Sequence, residues 1–501
     1  MSSCAYILET TSIRVRRLGF LLLAAVICTL SMSAGAGLAA TGTKAPLEEQ
    51  LRGVLDRHRP DGATAGIRIA EVGSGQVLFS HNAEKLLLPA SNQKLVTAGA
   101  ALAALGPDYE FSTRLYLDGP FWGGTLHGDL VLRGGGDPAL GGECEDADAL
   151  KIFGGWASLV RQLGIRRIAG HIVADDSFFT RRAMHPSWPR DERWKPYSAP
   201  AGALSVNDNC ITIRCRPGEK AGKPARLLLT PPVSVVKLRN RLNTHDSKHV
   251  IWFYRQAGSS TVTVGGNIRK SSGGYSSRVS VPAPARYAAQ VFRLALKRRD
   301  IHVTQGIGLV PRDETIDRSG WQELVERTSP LIPVLRTMLK NSQNHYAEQV
   351  LRTLGAEGRG TGSWDAGCRA AADYLDGLGF GDMELADGSG LSRENRVSAA
   401  ALTALLLDCA DGPLGSREAD LLPVAGVDGT LENRMLKEPY AGSIRAKTGT
   451  LYGVEGLSGY MRGPDGRRVA FSILVNCDAG RNAQMERLQD AICRTVVDYL
   501  H

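Results

Sequence analysis

The sequence predicts an α+β protein in which the helix-rich beginning and end form one discontinuous domain, split by a large β-rich insertion. Three observations carry that prediction. Helical periodicity is present up to residue 105 and returns from 285 to 501. Residues 106–284 are instead a succession of short alternating strands with one clear helix, Ala149 to Leu163. Pro282-Ala283-Pro284 punctuates the return to helix.

At the start of the chain, Arg14, Arg16 and Arg17 precede an apolar run from Leu18 to Met32 and a string of small residues ending Gly37-Leu38-Ala39-Ala40. Basic, apolar, small is the order of a secretory signal peptide, assigned here to residues 1–39 with cleavage after Ala36 or Ala39. The apolar run is short for a bilayer span, and an uncleaved anchor is the alternative. No later segment is apolar enough to cross a membrane. An exported protein, periplasmic or otherwise extracytoplasmic and without a stable membrane anchor, is therefore expected. The sequence leaves a homodimer open.

The 501-residue chain is 43% hydrophobic and 22% charged, an ordinary globular composition with enough length for a large core. Its formal charge of +9 falls to about +7 once the leader, with three arginines and one glutamate, is removed. Such an excess suits an anionic polymer such as cell-wall material. It is too small and too dispersed to indicate nucleic acid. After cleavage the cysteines number seven, so at least one thiol in a monomer lacks a partner. No Cys-x-x-Cys, His-Glu-x-x-His or Gly-x-x-x-x-Gly-Lys is present, so no cofactor and no metal are expected. His245 and His249 have helical ligand spacing but lie among loop-like polar residues.

Taken in order, Ala45 to Arg59 reads as a helix ending at the turn Pro60-Asp61-Gly62. Ala65–Val72 and Gln76–Ser80, joined by Gly73-Ser74-Gly75, read as a hairpin. The next element, Pro89 to Leu102, reads as a buried helix with Ser91 and Lys94 at its opening. In the insertion, strands are expected at 125–132, 168–174, 211–213, 225–229 and 260–264, and Gly134-Gly135-Gly136-Asp137-Pro138 is a tight turn rather than a phosphate cradle. Helices follow at 286–299, 332–354, 368–378 and 399–407, then strands at 443–447, 456–461 and 469–476, then a terminal helix from Asn482.

Ser91 is the candidate nucleophile. A serine hydroxyl needs a base within hydrogen-bond reach, and Lys94 stands one helical turn away on the same face. At a helix N-terminus the backbone N–H groups favour an oxyanion and disfavour an ammonium, and desolvation pushes a lysine toward its neutral form. The same spacing recurs in Ser234-Val235-Val236-Lys237, but that run alternates like a strand, where i and i+3 face opposite ways. Downstream, Ser342-Gln343-Asn344 sits at the mouth of a long helix, and Lys447-Thr448-Gly449-Thr450 closes a strand. That glycine would let a ligand approach the backbone, and the threonines could hydrogen-bond a carboxylate.

Ser-x-x-Lys, Ser-x-Asn and Lys-Thr-Gly in this order resemble the three motifs of penicillin-binding proteins and class A β-lactamases. Within that group the chain is most similar to the exported D-alanyl-D-alanine carboxypeptidase/endopeptidases of the penicillin-binding protein 4 type. The similarity rests on Pro89–Lys94, Gly134–Pro138, Ala203–Asn209, Asp387–Arg393, Gly426–Leu431 and Ala446–Leu451, and on the roughly 250 residues between Ser91 and Ser342, where that family carries extra domains.

The resemblance implies a penicillin-binding transpeptidase-like domain at 40–105 and 285–501, interrupted by 106–284. It implies hydrolysis of peptidoglycan stem peptides and D-Ala cross-links, with β-lactams as inhibitors. By the same resemblance Ser91 attacks the penultimate D-alanine carbonyl and Lys94 takes its proton. The N–H groups of Ser91 and Thr450 form the oxyanion hole. Ser342, helped by Lys447, protonates the leaving amine. Asn344 holds the substrate's peptide carbonyl, and Lys447, Thr448, Gly449 and Thr450 line the place of the terminal carboxylate. Glu192, five residues before Tyr197, stands where relatives bind the amine of the diamino acid, with a solvated loop as the alternative. Arg393 would meet that diamino acid's carboxylate, or else form a structural salt bridge. Gln343 departs from the Asp or Asn usual at the middle of the second motif. A β-lactamase-like hydrolase and a catalytically silent cell-wall binding protein are the rival functions.

Overall fold

Val469-Ala470-Phe471-Ser472-Ile473-Leu474-Val475 is apolar almost without interruption, the pattern of a strand covered on both faces. In the structure, a computed structural model that describes residues 45–144, 148–180, 182–310, 317–412 and 414–501, this run belongs to the Arg468–Asn476 strand. It is the middle strand of a five-stranded antiparallel sheet ordered Ile444–Leu451, Val454–Arg462, Arg468–Asn476, Thr64–Glu71, Val77–His81. Thr64 pairs with Asn476 and Glu71 with Val469, so the N-terminal hairpin completes a sheet made at the other end of the chain.

Alternation along the middle strand separates two cores. Val469, Phe471, Ile473 and Val475 pack beneath the helices Leu47–His58 and Asn482–Leu500. Ala470 and Leu474 face the opposite layer, built from Gln93–Ala104, Leu331–Lys340, Asn344–Arg359, Trp364–Gly377 and Ala399–Asp411. The expected α+β class is thus realised as a sheet between two helical layers. The expected signal peptide lies outside the described residues, and no described helix is long and apolar enough to cross a membrane.

Among the described residues the intervening segment holds four sheets around its own core, in which Phe153, Trp156 and Phe292 interlock with ring centroids 5.1 to 6.3 Å apart. The strand expected at 125–132 is two strands, Thr125–Leu126 and Asp129–Gly134, which belong to different sheets. The one expected at 168–174 is likewise divided into Arg167–Ile168 and His171–Asp175. Glycines make both crossings: a Cβ on Gly128 would stand 1.8 Å from the Asp118 carbonyl oxygen, and one on Gly170 would stand 1.9 Å from Asp129 Oδ1. Ser234 lies in a bend, and the strand after it begins only at Lys237. His245 and His249 use Nδ1 to accept backbone N–H groups, of Ser247 and Lys248 and of Arg269 respectively.

Two boundaries differ from expectation. Strand pairing places residues beyond 284 with the insertion, since His302–Val303, Gly306–Leu309 and Trp321–Pro330 pair with Arg167–Ile168, His171–Asp175 and Glu110–Asp118. The insertion closes through non-local strand pairs that local periodicity does not register. The helix expected at 332–354 is two helices, Leu331–Lys340 and Asn344–Arg359, and the break falls on Ser342.

Arg352, fully buried on the second of these helices, fastens the insertion to it. Its guanidinium lies between the rings of Phe179 and Trp364, 4.5 Å from each centroid, and donates to the carbonyls of Thr180, Ala201 and Gly362. Replacing Arg352→Met leaves the buried carbonyls of Ala201 and Gly362 without this donor. Chemical denaturation should show a loss on the order of 3 kcal/mol, against little change for the exposed Arg52→Met.

Candidate active site

Ser91 sits in a single 3-10 turn, Ala90–Asn92, that runs straight into the Gln93–Ala104 helix. Ala90 takes a left-handed φ of 46°, which disfavours an L-residue by about 1–2 kcal/mol. The surroundings enforce it. A Cβ on Gly390 would stand 1.8 Å from the Ala90 carbonyl oxygen, one on Gly449 would stand 2.8 Å from both Pro89 O and Ser91 N, and one on Gly456 would stand 1.9 Å from Asn92 Nδ2. Gly449, expected to let a ligand approach the backbone, therefore admits the protein's own serine turn.

Lys94 Nζ lies 3.1 Å from Ser91 Oγ, and the lysine is completely buried. It donates to Asn344 Oδ1 at 2.7 Å and to the Ser389 carbonyl at 2.8 Å, two groups that only accept. A neutral amine has two N–H bonds and one lone pair. With both N–H bonds committed, the lone pair is left for the Ser91 hydroxyl. Burial pushes the Lys94 amine down to about 7, against the carboxylates of Glu348 and Asp387, which favour its charged form.

Those carboxylates flank the peptide that faces Lys94. Glu348 accepts from Ser389 N at 2.9 Å, Gly388 N at 3.2 Å and the Trp364 indole at 2.6 Å. Asp387 accepts from Gly390 N at 2.8 Å, Ser392 N at 2.7 Å, Asn395 Nδ2 at 2.9 Å and the Trp188 indole at 2.9 Å. Both are fully buried, and burial followed by the charge of Asp387 pushes Glu348 up to about 7. Thr97, one turn beyond Lys94, donates to the Gly388 carbonyl at 2.8 Å, so one helix face grips the 387–390 turn at two points.

A second lysine–serine pair stands opposite. Lys447 Nζ, also fully buried, lies 2.9 Å from Ser342 Oγ and donates to the Thr448 carbonyl at 2.7 Å. Burial, then the charge of Lys94, holds it well below the ordinary lysine value. Ser342 reaches it because its φ of 56° ends one helix and turns the chain into the next. Glycine or asparagine usually fills such a position, and serine there marks the side chain as the reason for the strain.

The structure thus brings Ser91, Lys94, Ser342, Asn344 and Lys447 together, and modifies several other expectations. Asn344 is engaged at both ends, with Nδ2 donating to the Tyr197 carbonyl at 2.9 Å, which leaves one N–H. Thr448 Oγ1 donates to Thr430 Oγ1 at 2.7 Å. Thr450 Oγ1 donates to Glu455 Oε2 at 2.9 Å, its cross-strand partner, so its hydroxyl proton is already committed. Glu192 is paired with Lys195 at 2.8 Å, which lowers its pKa. The segment carrying it is no loose loop, since Trp188 is 1% exposed and Tyr197 touches Asn344. Arg393 donates to the Tyr452 carbonyl at 2.6 Å rather than to a carboxylate.

Sequence reasoning missed Glu348, Asp387, Ser389 and Thr430 as parts of this site. Glu348 lies one turn after Asn344 and one turn before Arg352, and that polar row along a buried helix is the available signal. Asp387, Ser389 and Thr430 lie in segments whose similarity was noted without a role attached.

The sequence profile of the family described as D-Ala-D-Ala carboxypeptidase 3 (S13) matches residues 47–496. A D-alanyl-D-alanine carboxypeptidase of Actinomadura sp. (strain R39) is 35% identical over 475 residues, covering 90% of this chain and 85% of the relative. The D-alanyl-D-alanine carboxypeptidase DacB of Haemophilus influenzae is 27% identical over 430 residues, covering 84% of this chain and 87% of that one. The crystal structure of penicillin binding protein 4 (dacB) from Haemophilus influenzae aligns with a TM-score of 0.77 at 25% identity, over 90% of this chain and 99% of that one.

Because the serine turn is seated against glycines, its geometry is testable. Gly390→Ala puts a methyl group onto the Ala90 carbonyl at a backbone φ of +80°. It should lower stability by roughly 3 kcal/mol and reduce acylation of Ser91 at least about tenfold. Gly62→Ala, at a φ of +74° with nothing nearby, should leave acylation unchanged and cost about 1 kcal/mol.

Proposed function

The chain belongs to the D-Ala-D-Ala carboxypeptidase 3 (S13) family, and from that premise we propose that it removes terminal D-alanine from peptidoglycan stem peptides and cuts D-Ala cross-links through an acyl-enzyme on Ser91. The observation that carries the proposal is the buried Lys94 amine, 3.1 Å from Ser91 Oγ with both of its N–H bonds committed elsewhere.

In the first half-reaction the Ser91 hydroxyl gives its proton to the Lys94 lone pair as Oγ bonds to the penultimate D-alanine carbonyl. The N–H groups of Ser91 and Thr450 receive the oxyanion, a term for which each donor is worth about 10²–10³ in rate. As the C–N bond breaks, the leaving D-alanine nitrogen takes a proton from Ser342 Oγ, polarised by Lys447; Ser342 is reprotonated at the expense of the Lys94 ammonium, and an ester remains on Ser91 with Lys94 neutral again. Water then attacks the ester and gives a proton to Lys94, which returns it to Ser91 Oγ as the ester bond breaks and the shortened peptide leaves as a free acid. Asn344 positions Lys94 and offers its remaining N–H to the substrate's peptide carbonyl.

Thr448 and Thr430, as a hydroxyl pair beside Lys447, receive the terminal carboxylate, with Thr450 contributing its backbone N–H rather than its side chain. Glu192 and Arg393 lie at the edge of the cleft. Each must exchange a partner, Lys195 or the Tyr452 carbonyl, before it can take a substrate amine or carboxylate. A β-lactam presents a strained carbonyl to the same Ser91 and is expected to leave a slowly hydrolysed ester. The substrate places the protein outside the cytoplasmic membrane, consistent with removal of residues 1–39.

Incubation of the mature chain with benzylpenicillin should add one drug mass, mapped to Ser91 and absent in Ser91→Ala. Drug loss without an adduct would instead mark a β-lactamase, and neither event in folded protein would mark a silent binding protein. The acylation rate should rise through about pH 7 as Lys94 loses its proton, and fall about tenfold per unit below that point. Glu348→Gln removes a carboxylate that supports the ammonium, so the midpoint should move to lower pH. An unmoved midpoint would dissociate Glu348 from Lys94.

A further inference from the structure

Sheet alternation in the insertion produces a face that the peptidase chemistry does not use. The strands Lys237–His245, Thr261–Arg269 and Val250–Tyr254 form a three-stranded sheet in that order. Their register sets Arg239, Thr263 and Tyr254 in one row, Arg241, Gly265 and Trp252 in the next, and Asn243, Asn267 and Val250 in the third. Directly paired residues share a face. The reverse face carries Leu242, Val262, Val264 and Ile268, all buried, so these three rows look outward.

The outward face is polarised across the sheet. One outer strand presents Lys237, Arg239, Arg241 and Asn243, all exposed. The other presents Val250, Trp252 and Tyr254, exposed by 67%, 44% and 50%. Basic residues on an edge strand are an ordinary guard against edge-to-edge pairing, but exposed aromatics on the opposite edge do the reverse. Trp252 also has a definite pose. A Cβ on Gly265 would stand 2.2 Å from its Cζ2, so the indole lies flat on the middle strand over the missing side chain, with its other face to solvent. A flat indole fits the C–H-lined face of a sugar ring. Cations about 10 Å away, two strand spacings across, fit carboxylates carried by the same polymer.

We propose that this face is a second binding site, for the glycan strand of peptidoglycan, with the sugars on Trp252 and Tyr254 and the stem-peptide carboxylates on Arg239 and Arg241. The choice of polymer rests on the peptidase reading above. The site holds the chain on its polymeric substrate and leaves the chemistry at Ser91 unchanged.

The test sediments the mature chain, carrying Ser91→Ala so that nothing is cut, with purified peptidoglycan sacculi. On that background Trp252→Ala/Tyr254→Ala and, separately, Arg239→Glu/Arg241→Glu should each weaken binding on the order of tenfold. Added salt should weaken the parent more than the charge-reversed variant, and glycan strands stripped of stem peptides should compete for the aromatic contact. With Ser91 restored, both surface variants should be acylated by benzylpenicillin at the parent rate, which establishes that they are folded. Unchanged sedimentation of both variants overturns the proposal. So does single-stranded oligonucleotide binding that depends on Trp252 while sacculi binding does not. Should the protein with Ser91 restored fail to acylate while sedimentation of the Ser91→Ala form still depends on Trp252, the peptidase reading falls and the surface stands.

Discussion

Everything at this site depends on keeping one amine dry. As the proposed base, Lys94 serves Ser91 only when neutral, and burial favours that form, bringing its pKa down to about 7. Burial alone would leave its N–H bonds unsatisfied, which is costly in a low-dielectric interior. The structure answers with two acceptors from distant parts of the chain, Asn344 Oδ1 and the Ser389 carbonyl. Neither is a carboxylate in direct contact, which would restore the charge. The acidic groups stand one layer back, where Glu348 and Asp387 orient the Ser389 carbonyl by accepting from the N–H groups of Ser389 and Gly390.

The same constraint explains why three separated segments converge. The serine turn supplies Ser91 and Lys94, the proposed nucleophile and base, the Ser342 break supplies the second serine and the oxygen of Asn344, and the edge strand supplies Lys447. Each is fixed by a local departure from regular structure: left-handed Ala90, left-handed Ser342, and glycines that let the strand and the 387–390 turn lie against the serine turn. The insertion also contributes to the site. Trp188 and Tyr197 reach from it to Asp387 and Asn344, so a wall of the cleft comes from a segment that looks separate in sequence.

Much of this was legible beforehand. Ser91/Lys94 and the Lys447 strand follow from spacing and periodicity, and the strand at 469–476 is read from its apolar run, though its central place in the sheet is not. What escaped had physical causes. A serine in a left-handed conformation carries no sequence mark, so Ser342 was placed at a helix mouth without the break that creates it. Strands that switch sheets at Gly128 and Gly170 read as single runs, because alternation persists through the kink. The extent of the insertion was hidden because 302–330 joins it through non-local pairs. The roles of Glu348 and Glu455 appear only once the neighbouring N–H and hydroxyl groups are in place.

Holding a neutral lysine also opposes folding. Free lysine titrates near 10.4, so between about pH 7 and that value the unfolded chain carries a proton that the folded one lacks. The resulting destabilisation is fully present below about pH 7 and is relieved as pH rises toward the unfolded value. The central claim is therefore a protonation state, and the direct measurement is an NMR titration of the Lys94 side chain in selectively labelled protein, assigned with Lys94→Arg. A transition near pH 7, with the amine neutral above it, is the predicted result. A Lys94 that remains an ammonium past pH 9 in the folded protein would contradict the account.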